Sequence, residues 1–179
     1  MILMGIDPGP LESGWIVWDT VKEEVLECGI SPNKLIRISI ESTVKEWDID
    51  VVLIEMIASY GMAVGESVFE TCVEIGKFDY CIHMIFHSPK VILIKRRDVK
   101  LRLCGNARAK DTNIHQRLVD MYGKPGTKKN PGKLYGVKSH IWSALALCIA
   151  YQEELREAEF KVLDKVMLKY VKTEREVRR

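Results

Sequence analysis

The sequence predicts an α/β fold in which helices flank a central mixed sheet of five strands, the first three antiparallel. Three observations support this prediction. Residues 2–7 and 14–19 read as two strands joined by a Pro-Gly turn. The nearly continuous apolar run at 50–55 is typical of a central parallel strand covered on both faces. A helix that is apolar all round, at 139–154, is typical of one packed against a sheet.

The individual elements follow from hydrophobic periodicity and from turn residues. In chain order we expect strands at 2–7, 14–19, 25–30, 50–55 and 89–94, and helices at 34–47, 65–85, 110–122 and 139–154. Asp111 is expected to cap the helix at 110–122. The segment 123–133 is rich in Gly, Pro and Lys and predicts an exposed loop.

The length of 179 residues suits one sizeable domain. We expect this domain at 1–154, followed by a C-terminal helical extension at 155–179 that frays at its end. We find neither a membrane-spanning run nor a signal peptide. The five cysteines form no CxxC pair, which favours free thiols in a reducing compartment. These features predict a cytoplasmic protein.

Charge is distributed very unevenly along the chain. Residues 1–89 carry a net charge of −10, whereas residues 90–138 carry +11. A segment this basic favours a partner with a phosphate backbone, although charged runs are often only solvated surface. We therefore expect DNA contacts from the basic side chains Arg96, Arg97, Lys100, Arg102, Arg108, Lys128, Lys129 and Lys133. Tyr60 is a candidate for stacking on an unpaired base, whereas core packing is preferred for Phe69.

Three side chains form a candidate metal site. Asp7 and Glu55 each end an apolar strand, and His140 opens the buried helix. Neighbouring strands can bring two such carboxylates to one metal ion, and oxygen ligands suit Mg²⁺ or Mn²⁺. Each residue also has a simpler explanation, as a turn cap, an exposed strand-end charge and a helix-start imidazole respectively. Together with the basic segment, however, they favour a metal site.

Five motifs in order resemble the RuvC-type Holliday-junction resolvases, nucleases of the ribonuclease H-like fold. The resemblance covers residues 1 to about 152 and lies in Gly5–Gly9 with Ser13–Trp15, Val51–Glu55, Phe69–Gly76, Ala109–Ile114 and Ser139–Ala146. The residues of the later motifs most resemble those of phage-encoded members of this family. The resemblance implies a C2 homodimer that cuts four-way DNA junctions in a bacterial or phage-infected cell and leaves 5′-phosphate ends.

The resemblance also assigns roles to individual residues. Asp7 would bridge two metal positions, Glu55 would hold the metal beside the leaving group, and His140 would hold the other metal or take a proton. Lys110 would neutralise a phosphate near the cut. Where the family has its last Asp, this chain has Ser143.

This departure leaves the second metal less firmly held. Ser143 could contribute through a water, or Asp111 or Glu66 could approach from nearby. Because His140 is a softer ligand than Asp, we expect a preference for Mn²⁺ over Mg²⁺.

Other functions stay open at this point. A related metal nuclease could act on flaps, forks or RNA–DNA hybrids, because loops read the shape of the substrate. A non-catalytic junction-binding protein would explain the lost acid at Ser143. An actin-like ATPase shares the first motif but needs a second large domain and further Gly-rich loops, for which this chain is too short.

Overall fold

A computed structural model of the protein describes the backbone of residues 1–59, 61 and 63–177 and side chains up to residue 164. Its centre is a mixed sheet in the order β3-β2-β1-β4-β5. The five strands are β1 Ile2–Asp7, β2 Glu12–Asp19, β3 Glu24–Pro32, β4 Val51–Met56 and β5 Lys90–Lys95. β1, β2 and β3 pair antiparallel, whereas β4 pairs parallel with both β1 and β5. The predicted sheet is therefore confirmed.

Helices cover both faces of this sheet. They are α1 Asn33–Trp47, α2 Glu66–His83, α3 Arg96–Cys104, α4 Asp111–Tyr122 and α5 Ile141–Val177. Successive side chains of a strand point to opposite faces. Leu3 and Leu53 therefore pack with residues of α3, α4 and α5, whereas Met4, Ile6 and Ile54 pack with α1 and α2.

The structure differs from the prediction around α3 and α4. The sequence did not predict α3, because only Val99 and Leu103 of this highly charged helix are buried. Asp111 is not the cap of α4 but its first residue. Lys110 takes the cap position, and the Asn113 side chain accepts a hydrogen bond of 3.0 Å from the Lys110 backbone.

Two other segments also differ from expectation. Within the predicted loop at 123–133, a short hairpin pairs β6 (Gly126–Thr127) with β7 (Asn130–Pro131). Phe69 is 61% exposed rather than in the core, because the buried residues of α2 lie on the opposite side of the helix; they are Thr71, Glu74, Ile75, Phe78 and Ile82. Of the five cysteines, Cys148 is fully buried and Cys72 is exposed.

α5 is one continuous helix of 37 residues. It passes without a break through residues 154 and 155, so the division into a domain and an extension stays a prediction. In the described part of the chain, no helix combines the length and apolar content needed to cross a bilayer.

Candidate active site

Asp7 and Glu55 lie side by side at the carboxyl ends of two parallel strands. Ile6 of β1 is in register with Ile54 of β4, so the next residue of each strand is the acid. Hydrogen-bonded strands lie about 4.8 Å apart. Ile6 and Ile54 point to the face of the sheet that α1 and α2 cover. The next residues, Asp7 and Glu55, therefore point to the opposite face, toward α5. Their side chains are only 16% and 17% exposed, respectively.

His140 reaches this pair from the residue before α5. Its Nδ1 lies 3.3 Å from Oδ2 of Asp7, and its side chain is 64% exposed. A Cβ on Gly14 would lie 2.7–2.9 Å from atoms of His140, so only glycine allows the close approach of β2. Ser139, the residue before His140, has a φ of 45°, which lies in the left-handed region of backbone conformations.

Ser143 is one helical turn further along α5, close enough to Asp7 for its side chain to oppose the rise in the Asp7 pKa that burial causes. α5 can come this close because β1 carries glycine at its contact point, where a Cβ on Gly5 would overlap the Ala144 carbonyl. The residue at the position of the expected acid therefore still contacts Asp7, but as a neutral partner.

The turn after Asp7 is held by Ser13, which belongs to the first motif, and by Asn33, which the sequence did not single out. Ser13 and Asn33 are almost fully buried, and the Ser13 hydroxyl donates a 2.6 Å hydrogen bond to Oδ1 of Asn33. The Asn33 amide donates in turn to the Gly9 carbonyl at 2.9 Å. Ser13 and Asn33 thus support the turn at residues 8–12. Together with Asp7 and His140, this turn lines a cavity of about 480 Å³.

Arg96, the first residue of α3, forms ion pairs with two acids of the site. Its Nη1 lies 3.1 Å from Oε2 of Glu55, and its Nη2 lies 3.0 Å from Oδ1 of Asp111. Lys100, one turn along α3, lies 3.2 Å from the same Asp111 oxygen. Asp111 therefore does approach the site, but its carboxylate is paired with these two cations.

The two strand-end carboxylates hold protons more tightly than usual. Burial, opposed by Arg96 and assisted by the neighbouring Asp7, raises the pKa of Glu55 to about 7. Burial also raises the pKa of Asp7, although His140 and Arg96 lower it. Even with Arg96 in place, the site has an excess of negative charge, as expected where a cation binds.

The donor set suits a hard or borderline divalent metal in chemistry, since it offers two carboxylates, an imidazole and a hydroxyl. In the described residues, however, no three His, Cys, Asp or Glu side chains converge closely enough to hold a metal ion. Asp7 and His140 are already together, whereas Glu55 is engaged by Arg96. The residues fit a metal once Glu55 becomes free.

Four of the predicted DNA contacts share one cavity. A space of about 460 Å³ beside Glu55 is lined by Arg96, Arg97, Lys100, Ala107 and Arg108, with no acid among them. Lys110 is exposed at the start of α4, next to Asp111. These cations surround the acidic site.

The other predicted DNA contacts lie elsewhere. Arg102 pairs with Glu154 and Glu157 of α5. Lys133 lies near the start of β3, where its carbonyl accepts a hydrogen bond from Val25 and its side chain pairs with Glu23. That end of the sheet is opposite to Asp7.

Lys128 and Lys129 form the turn of the hairpin that precedes Lys133. Tyr60 lies outside the described residues. Contact of these residues with DNA stays a prediction.

Fold and site together define an α/β protein of the ribonuclease H-like class, with acids at the ends of two parallel strands. The Thermus thermophilus RuvC structure is similar, with 17% identity, a TM-score of 0.67, and coverage of 88% of this chain and 97% of that chain. The structure of T. thermophilus RuvC in complex with a Holliday junction substrate is also similar, with 18% identity and a TM-score of 0.69. The match covers 88% of this chain and 96% of that chain.

The yeast mitochondrial Holliday junction resolvase Ydc2 is similar at 10% identity, with a TM-score of 0.56 and coverage of 84% of this chain and 77% of that chain. No family model and no curated protein matches the chain. The solved structures show that this chain has the fold of RuvC-type resolvases, which confirms the predicted fold.

Proposed function

We propose that the protein is a divalent-metal-dependent endodeoxyribonuclease that resolves four-way DNA junctions. The observation that carries the proposal is the placement of Asp7, Glu55 and His140 at one edge of a RuvC-like fold. A bound Mg²⁺ or Mn²⁺ pair would activate a water and stabilise the leaving oxygen of a phosphodiester. The same proposal places the protein in the cytoplasm of a bacterial or phage-infected cell.

Each side chain has a defined task in this proposal. Asp7 and Glu55 supply the carboxylate ligands, and His140 supplies a third ligand or accepts the proton of the attacking water. Ser143 lies beside Asp7 and favours the ionised form of its carboxyl. Lys110 neutralises a phosphate close to the cut, and hydrolysis leaves a 5′-phosphate and a 3′-hydroxyl.

The cationic cavity gives the DNA a path to these acids. Arg97, Lys100 and Arg108 line it together with Arg96, directly beside Glu55. Such contacts position a phosphate backbone without reading its sequence. The fold of α3 and α4 thus brings positive charge to an edge of the sheet that is otherwise acidic.

We further propose that two copies form a C2 dimer, because a four-way junction is two-fold symmetric and needs two cuts. α2 carries an exposed apolar stripe that suits this interface, formed by Phe69, Cys72, Val73 and Tyr80. Sedimentation analysis of wild type and Phe69→Glu tests the dimer. A monomeric wild type at micromolar concentration would contradict it.

A gel assay with a synthetic four-way junction tests the function. We expect paired cuts with Mn²⁺, slower cuts with Mg²⁺, and none in EDTA. Asp7→Asn should abolish cleavage but keep junction binding. Faster cleavage with Mg²⁺ would contradict the expected metal preference only.

A second candidate is a protein that binds junctions without cutting them. Two observations favour it: Ser143 replaces the expected acid, and Arg96 engages Glu55. The same gel separates the two candidates, because binding without cleavage in any divalent ion supports this second function. Flap, fork and hybrid substrates in parallel lanes test the related nuclease activities.

A further inference from the structure

The Arg96 guanidinium lies at the boundary between the acidic site and the cationic cavity. Toward the sheet it donates to Glu55 at 3.1 Å and contacts Asp111 at 3.0 Å. It also lines the cavity of about 460 Å³ that contains Arg97, Lys100 and Arg108. One side chain is therefore within reach of two different kinds of partner.

On the acidic side, Arg96 competes with any metal ion for Glu55. The two side chains are only 23% and 17% exposed, so water screens their attraction less than at the surface. A metal ion beside the same carboxylate would also be repelled by the guanidinium. Glu55 can act as a ligand only when Arg96 withdraws or shares it.

On the cationic side, four cations line the cavity and no carboxylate does, although Arg96 and Lys100 are also paired with Asp111. A phosphate that entered it would supply an anion there. Guanidinium groups bind phosphate in the same bidentate manner as carboxylate. A DNA phosphate is thus the partner that can draw Arg96 away from Glu55.

We propose that Arg96 couples DNA binding to metal binding. Without DNA it neutralises Glu55 and keeps the metal site incomplete. When a DNA phosphate occupies the cavity, the guanidinium turns to it and Glu55 becomes a metal ligand. This inference rests on the proposed nuclease function, and it implies that metal and DNA strengthen each other's binding by the same factor.

The first test measures Mn²⁺ affinity without DNA, by isothermal titration of wild type, Arg96→Gln and Arg96→Met. Both variants should bind Mn²⁺ at least about fivefold more tightly, the lower end of typical coupling between sites. A damaged fold would weaken binding, so a gain has no such explanation. Unchanged or weaker Mn²⁺ affinity in both variants would overturn the proposal.

Arg37 provides a matched control, because it pairs with Glu74 at similar burial, with side chains 22% and 11% exposed. Arg37→Gln should leave Mn²⁺ affinity unchanged. A gain equal to that of Arg96→Gln would show a general effect of lost positive charge and would overturn the specific role of Arg96.

The second test measures junction binding in EDTA over a range of salt concentrations. If Arg96 turns to a phosphate, Arg96→Gln should make the slope of log affinity against log salt shallower by about one, the contribution of a single phosphate contact. An unchanged slope means that Arg96 stays on Glu55 and contradicts the coupling. Failure of the nuclease proposal is distinguishable, because Asp7→Asn would then bind Mn²⁺ as well as wild type.

Discussion

Two Arg–Glu ion pairs of similar burial show how charge surroundings separate a structural contact from a functional one. Arg37 of α1 pairs with Glu74 of α2, and Lys77 adds a second cation 2.6 Å from Glu74. Arg96 pairs with Glu55, but Asp7 and Asp111 add two further acids, against the one further cation of Lys100. The first cluster therefore has an excess of positive charge, and the second has an excess of negative charge.

This difference has an energetic consequence. The cluster around Glu74 joins two helices on one face of the sheet and satisfies its own carboxylate. Around Glu55, burial raises the pKa of the carboxyl to about 7 despite Arg96 and with a smaller contribution from Asp7, which reduces the stability of the ionised folded state. A bound cation would therefore stabilise the cluster around Glu55. The Glu74 carboxylate is already neutralised by Arg37 and Lys77 and would gain nothing from one.

The largest expected effect separates the two pairs by activity. Glu55→Gln should lower junction cleavage by about a thousandfold, the upper range for loss of a group that stabilises charge in the transition state. Glu74→Gln should retain cleavage within about threefold. Single-turnover rates in saturating Mn²⁺ measure both. Equal losses would remove the distinction between the pairs.

The second effect concerns stability. Glu74→Ala leaves Arg37 and Lys77 without their partner at a half-buried helix contact, so we expect a loss of about 2–3 kcal/mol. Urea unfolding at pH 7 measures it. Adding Arg37→Met to Glu74→Ala should recover part of this loss. A loss below about 0.5 kcal/mol for Glu74→Ala alone would show that the pair contributes no more than an exposed surface ion pair.

The third effect has the opposite sign. At pH 8 without metal, Glu55→Gln should stabilise the protein by about 1–3 kcal/mol, since a tenfold change in proton affinity between the folded and unfolded protein corresponds to about 1.4 kcal/mol. Below the ordinary carboxyl pKa, Glu55 is protonated in both folded and unfolded states, so the gain should vanish at pH 4. Wild-type stability should fall as pH rises through about 7, the pKa of Glu55 in the folded protein.

Urea titrations of both proteins at pH 4, 6 and 8 test this dependence. A gain that is independent of pH would contradict the role of charge, because Gln and a protonated Glu differ little in size and hydrogen bonding.

The smallest effect comes from restoring the acid that this chain lacks. Ser143→Asp adds another negative charge beside Asp7 and should lower the thermal midpoint without metal by about 2–4 °C, or ~1 kcal/mol. Ser143→Asn is the matched neutral control. Saturating Mn²⁺ should reverse the difference between the two variants, and identical midpoints in both conditions would count against the acidic cluster.

The fold was largely predictable because its strands carry strong local signals. Apolar runs marked all five strands, and a helix with apolar residues all round marked the start of α5. α3 escaped prediction because its buried residues, Val99 and Leu103, are few among charges. Phe69 was misplaced because apolar residues lie on both sides of α2, and only packing decides which side is buried.

The candidate site was predictable in its acids and not in its cations. Asp7 and Glu55 each follow an apolar run, which is a local pattern. Arg96 is 41 residues from Glu55 along the chain, and nothing local distinguishes it from Arg97. The same holds for Arg102 and Lys133, whose acidic partners belong to α5 and to the turn before β3.

The sequence by itself determined the strand-end acids, the basic segment and the replacement of an expected acid by Ser143. Only the tertiary structure decided that Arg96 is the cation on Glu55, that Ser143 lies beside Asp7 and that Lys133 lies at the opposite end of the sheet. The physical reason is that secondary structure depends on neighbours in the chain, whereas charge interactions depend on distance in the folded protein.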